Sequence, residues 1–157
     1  MQSNPLSVLV IGDIVGRVGR QGITSFLETY KEEHNPDLII ANVENLAHGK
    51  GVTERTLTEM KEAGILVFTS GNHIWRKPEG VEMLATEPHL VRPANYPPGA
   101  PGKGVTVVQV GAYEILVINL MGRVYMTDPV DDPFRAFDQI MEEHKGKDYA
   151  AIFVDLH

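Results

Sequence analysis

The chain has 157 residues, no cysteine and a formal net charge of −7. That length is one ordinary domain with room for a full core. The acidic balance excludes a generic basic coat for nucleic acid, and the missing thiols exclude disulfides and thiolate metal sites.

Ser7-Val8-Leu9-Val10-Ile11-Gly12 is rich in β-branched residues and reads as a buried strand. From about Gly19 to His34, Ile23, Phe26, Leu27 and Tyr30 recur at helical spacing, and Asn35-Pro36 stops the helix. Asp37 to Asn42 is a second strand. A second helix starts at Thr53, whose Thr-Glu-Arg-Thr run is a capping pattern, and ends at Ala63-Gly64. Ile65 to Thr69 is a third strand, and a shorter helix covers Pro78 to Ala85.

The alternation then breaks. Leu90 to Lys103 is rich in proline and glycine and reads as an ordered surface loop. Gly104–Val110 and Tyr113–Leu120 form an antiparallel hairpin about Gly111-Ala112. Pro133 to His144 is a helix with Asp132 as its N-cap, and the run from Ala150 to His157 is a last strand. Strand–helix alternation with apolar strands predicts an α/β fold with a mostly parallel sheet and right-handed connections.

In such sheets ligands bind at the carboxyl ends of the strands. Asp13, Glu44-Asn45, Asn72-His73 and His157 each follow one of the four strands. These four strands are expected to share one sheet, so that the groups line the same edge of it. Aspartate, glutamate, asparagine and histidine suit divalent first-row cations. A carboxylate has two oxygens, so Glu44 is the natural bridge between two ions that clamp a phosphate and activate a water.

Each residue also has a plainer use. An aspartate after a strand can cap a turn, and Asn42, Asn45 and Asn72 can each stabilise one. His34, His48, His89 and His144 read as surface or loop histidines, with His48 set apart by its glycine-rich loop after Glu44-Asn45. Arg17, Arg20 and Arg123 are open to two readings, phosphate contacts or pairing with surface carboxylates. The glycines at 16, 19 and 22 have the wrong spacing for a dinucleotide fingerprint.

The ordered set Gly12-Asp13, Asn42-Val43-Glu44-Asn45, Gly71-Asn72-His73 and Asp155-Leu156-His157 resembles the calcineurin-like metallophosphoesterases. More narrowly, it resembles the bacterial YmdB-type phosphodiesterases. Arg92-Pro93-Ala94-Asn95-Tyr96-Pro97 and Asn119-Leu120-Met121-Gly122-Arg123 support the narrower match. The resemblance implies a four-layer αββα sandwich. It also implies a dinuclear Fe or Mn site, with Zn or Mg as alternatives, and hydrolysis of 2′,3′-cyclic nucleotides, related phosphodiesters or RNA ends. Carried over, Asp13 binds the first metal, Glu44 bridges, and Asn72 and His157 bind the second. Asn45 orients phosphate or a metal-bound water, and His73 is the general acid, a role imidazoles commonly fill.

Val43, Arg76, His48 and Lys50 depart from the family pattern without touching an implied ligand. The family continues past the last histidine with a Gly-Thr-His-Thr-His segment whose two histidines complete one metal each. Residues 1–157 are therefore expected to be the N-terminal portion of a metallophosphoesterase domain, with apolar surface uncovered and a tendency to form homo-oligomers. The alternative is a truncated, non-catalytic metal-binding or regulatory form with an incomplete site. No apolar run approaches the roughly 20 residues of a membrane span and no basic-then-apolar leader opens the chain. A cytoplasmic protein is expected.

Overall fold

Strands that are apolar on both sides must be covered on both faces. The computed structural model describes residues 5–157, and in it the strands form two sheets. Residues 1–4, where the expected domain begins, lie outside the described residues.

The first sheet is parallel, in the order β1 (Val8–Asp13), β2 (Leu38–Asn42), β3 (Val67–Thr69). Its crossovers are α1 (Gly16–His34) and α2 (Glu54–Glu62), and α3 (Pro78–Thr86) follows β3. Between β3 and α3 lies a 3-10 turn, Asn72–Arg76. The second sheet has the order β4 (Val105–Val110), β5 (Tyr113–Leu120), β6 (Ala151–Leu156), with α4 (Pro133–Glu143) between its last two strands. There β4 and β5 are antiparallel, whereas β5 and β6 are parallel.

This corrects the expectation of one sheet for all four ligand-bearing strands. The reason is hydrogen bonding: β5 pairs with β4 on one edge and β6 on the other, so β6 belongs to a sheet facing the first. The expected mixed α/β sandwich is otherwise present.

Period-two alternation sorts the side chains into layers. On β2, Ile39 and Ala41 join Leu27 of α1, Leu57 and Met60 of α2, and Leu84 of α3. The alternate residues Leu38 and Ile40 face the other way and meet Val108, Ile115 and Val117 of the second sheet. On β5, Leu116, Ile118 and Leu120 turn outward to Ile140 of α4. The order is helices, sheet, sheet, helix.

Local signals behave as read. Thr53 and Thr56 form a reciprocal capping box on α2. Asn35 closes α1 in the left-handed region at φ 41°, ahead of Pro36. The Asp132 carboxylate accepts the Phe134 and Arg135 N–H groups. Gly111, at φ 56°, makes the turn of the hairpin. α1 starts at Gly16, three residues before the expected Gly19. Within the proline-rich loop, the nearly buried Arg92 guanidinium donates to the carbonyls of Pro93, Ala94, Ala100, Pro101 and Gly102, which orders it. Val10, Ile152, Val154 and Leu156 stand exposed on β1 and β6, the outer strands of the two sheets. Among the described residues no helix is long and apolar enough to cross a membrane.

Candidate metal centre

Asp13 is the last residue of β1, just past a register irregularity after Ile11. Glu44 and Asn45 follow β2, and Asn72 and His73 open the 3-10 turn after β3. His157 follows β6. The two sheets thus deliver their strand ends to one place from opposite sides.

Glu44 sits at the centre and is 2% exposed. Its Oε2 accepts the His73 backbone N–H at 2.8 Å. Its Oε1 lies 3.1 Å from Asn45 Nδ2, 3.4 Å from His73 Nδ1 and 3.3 Å from His157 Nε2. Asn45 Nδ2 also donates to Asp13 Oδ2 at 2.7 Å. With its amide nitrogen donating to two carboxylates, the Asn45 oxygen is the acceptor facing His73 Nδ1 at 2.6 Å. His73 therefore carries a proton on Nδ1, which leaves Nε2 as its other ring nitrogen.

Burial foremost raises the Asp13 carboxyl above its ordinary range, and the Glu44 charge adds to this against the Asn45 hydrogen bond. Burial also pushes Glu44 upward. The contacts from His157 and the His73 N–H, with the charges of both imidazoles, outweigh it and leave Glu44 lowered. Contact with Glu44 holds His157 above the ordinary imidazole range despite burial.

Gly71 explains how two sheets come so close. A Cβ there would overlap the His157 ring and the Glu44 carboxylate. Its φ of −146° suits any residue, so the requirement is space, not torsion. Two carboxylates, carboxamide oxygens and imidazoles packed in this way are a donor set that fits hard-to-borderline divalent cations. As they stand, however, the side chains close on one another. Among the described residues no group of three or more His, Asp or Glu is spread around a common metal position.

Of the expected residues, the structure brings Asp13, Glu44, Asn45, His73 and His157 into one set joined by hydrogen bonds and ion-pair contacts. The Asn72 side chain makes no hydrogen bond to the others among the described residues, although its backbone lies between Gly71 and His73. Arg20 is resolved as a structural ion pair: its Nε meets Glu59 Oε2 at 2.7 Å and its Nη1 donates to the Leu46 carbonyl.

Sequence reasoning gave no role at the site to Asn42, Asp155 and Asn119. Asn42 Oδ1 accepts the Glu44 N–H, and its Nδ2 donates to Asp155 Oδ2 at 3.2 Å across the sandwich. Asn119, fully buried on β5, accepts the Ser70 N–H at 2.9 Å and so ties the second sheet to the end of β3. The available signal was an asparagine at or next to the end of each of two apolar strands. Beside the site, Trp75 stacks edge-on with Tyr96 at 5.0 Å, and the Tyr96 hydroxyl donates to Asp128 Oδ2 at 2.6 Å. Burial and Asp128 raise the Tyr96 hydroxyl above its ordinary range.

The chain is similar to several known proteins. It is 41% identical over 152 residues to a 2′,3′-cyclic-nucleotide 2′-phosphodiesterase of Bacillus subtilis, covering 97% of this chain and 57% of that protein. A crystal structure of a hypothetical protein from Thermus thermophilus superposes with a TM-score of 0.86 at 40% identity, covering 96% of this chain and 57% of that one. One described as a novel phosphatase from Mycoplasma pneumoniae gives a TM-score of 0.88 at 30% identity, covering 98% and 56%. The chain thus spans about half the length of these relatives. The model of the family described as YmdB-like protein matches residues 9–157, and this chain belongs to that family.

Proposed function

We propose that this chain supplies metal ligands and a proton donor to a dinuclear metal-dependent phosphodiesterase acting on 2′,3′-cyclic nucleotides or related phosphodiesters. The observation that carries the reading is the convergence on the Glu44 carboxylate. His73, Asn45 and His157 reach it from both sheets, and Asp13 is joined to it through the Asn45 amide. The similarity to the Bacillus subtilis phosphodiesterase supports the substrate class.

Asp13, Glu44, Asn45, Asn72 and His157 are the residues that would hold the metals. Two divalent cations, Fe or Mn with Zn or Mg as alternatives, supply charge stabilisation and an activated water when bound. Asn45 orients the phosphoryl group, its amide held in register by Asp13 and Glu44. His73, fixed through its Nδ1–H by Asn45, acts as the imidazolium: it gives its Nε2 proton to the leaving oxygen as the P–O bond breaks and keeps the Nδ1 proton. Phosphodiesters at RNA ends present the same chemistry.

The alternative reading is a non-catalytic metal-binding or regulatory form, in which the same carboxylates and imidazoles around Glu44 hold a metal without turnover. Metal content and turnover separate the two. After reconstitution with Mn²⁺ or Fe²⁺, two bound ions and hydrolysis of a 2′,3′-cyclic nucleotide support the enzyme. One ion or none, with no hydrolysis, selects the binding form.

A further inference from the structure

Past Glu44 and Asn45, the same loop contributes Ala47 and His48 to the wall of a cavity of about 790 Å³. Arg17 and Arg20 of α1, His48 of the loop, Arg55 of α2, and Lys77 contribute to its wall, with Glu59 and Glu79 opposing them. Four permanent cations against two carboxylates is a local reversal of sign in a chain whose net charge is −7.

The carboxylates are already engaged. Glu59 pairs with the buried Arg20, and Glu79 accepts the Glu54 backbone N–H at 3.0 Å. Arg17, Arg55 and Lys77 make no ion pair or side-chain hydrogen bond among the described residues. Gly51, in the left-handed region at φ 80°, lets the loop pack directly on the stem of Lys77. His48 is held at φ 56°, a conformation costly for a residue with a Cβ, and its side chain lines the same space. No Phe, Tyr or Trp lines the wall, so the cavity offers mainly charge and hydrogen-bond donors.

We propose that this cavity binds a pyrophosphate group, either as the free anion or as part of a nucleoside diphosphate, through Arg17, Arg55 and Lys77. The volume is that of a small-ligand site. Two linked phosphates match three otherwise unpaired cations better than one phosphate does. Its lining shares no residue with the metal centre, and the proposal is independent of the function assigned there.

The test is calorimetric titration of the whole chain, stripped of metal, with inorganic pyrophosphate, ADP and orthophosphate. Pyrophosphate should bind one to one and at least about tenfold more tightly than orthophosphate. ADP binding equal to pyrophosphate assigns the site to the free anion; tighter ADP binding assigns it to the nucleotide. The Arg17→Ala/Arg55→Ala double variant should weaken pyrophosphate at least about tenfold, whereas Asn72→Ala should leave it unchanged. Both arginines are exposed and unpaired, so the double variant is expected to fold. Lys77→Met, which keeps the packed stem, is a second variant with the same expected loss. Absence of pyrophosphate binding, full retention in both cavity variants, or loss in Asn72→Ala would overturn the proposal.

Discussion

His157 Nε2 lies 3.3 Å from Glu44 Oε1, although the two residues follow strands of different sheets. The contact is a measure of the whole sandwich. It forms only when β6 is docked beside β5 and the second sheet is seated on the first.

Glu44→Gln keeps the shape of the central side chain and removes its charge. Two imidazoles and the His73 N–H then face a neutral amide. Metal affinity should fall at least about tenfold with only a modest change in melting temperature. Titration with Mn²⁺ checks this; unchanged affinity would remove Glu44 from the ligand set.

Gly71→Ala introduces a methyl group where His157 and Glu44 already stand. Overpacking of this kind costs about 1–3 kcal/mol. The variant should melt lower and lose metal affinity together. An unchanged melting temperature would show that the site has slack that the packing denies.

Asn42→Ala removes the side chain that donates to Asp155 and accepts from the Glu44 N–H. Asn42 is buried, so a loss of about 1–3 kcal/mol is expected from the unsatisfied partners. Urea unfolding of the metal-free protein measures it. No loss would mean that water replaces both bonds.

His89 provides a pH dependence away from the metal centre. Burial lowers its imidazole below the ordinary histidine range, against the opposing charge of Glu87, and its Nδ1 meets Thr106 Oγ1 at 3.1 Å. The folded state therefore binds this proton less readily than the unfolded chain. The stability held by neutral His89 is present above the ordinary histidine range and is lost as pH falls through the lowered value. His89→Gln should flatten that part of the stability–pH curve. An unaltered slope would place the titration elsewhere.

Val154 and Ile152 are 44% and 42% exposed on β6, which pairs on one edge only. An apolar strand open in this way recruits another strand. The chain should self-associate on gel filtration as concentration rises, and Val154→Lys should shift it toward monomer. A concentration-independent monomer for the parent chain would contradict this.

The sequence by itself determined the elements. Apolar runs of β-branched residues, the Thr53 box, Asn35-Pro36 and Asp132 are local signals, and the strands and helices stand within a few residues of where these put them. It also singled out Asp13, Glu44, Asn45, Asn72, His73 and His157, because each is a polar residue following an apolar run. Only the tertiary structure decided that these runs divide between two sheets. That depends on which edge of β5 accepts β6, a long-range pairing with no local signature. The same pairing sets His157 against Glu44 from the facing sheet, joins Asn42 to Asp155, and makes Gly71 a requirement of space. The Asn72 side chain stands outside the set joined around Glu44, because a position in the chain does not specify the direction of a side chain.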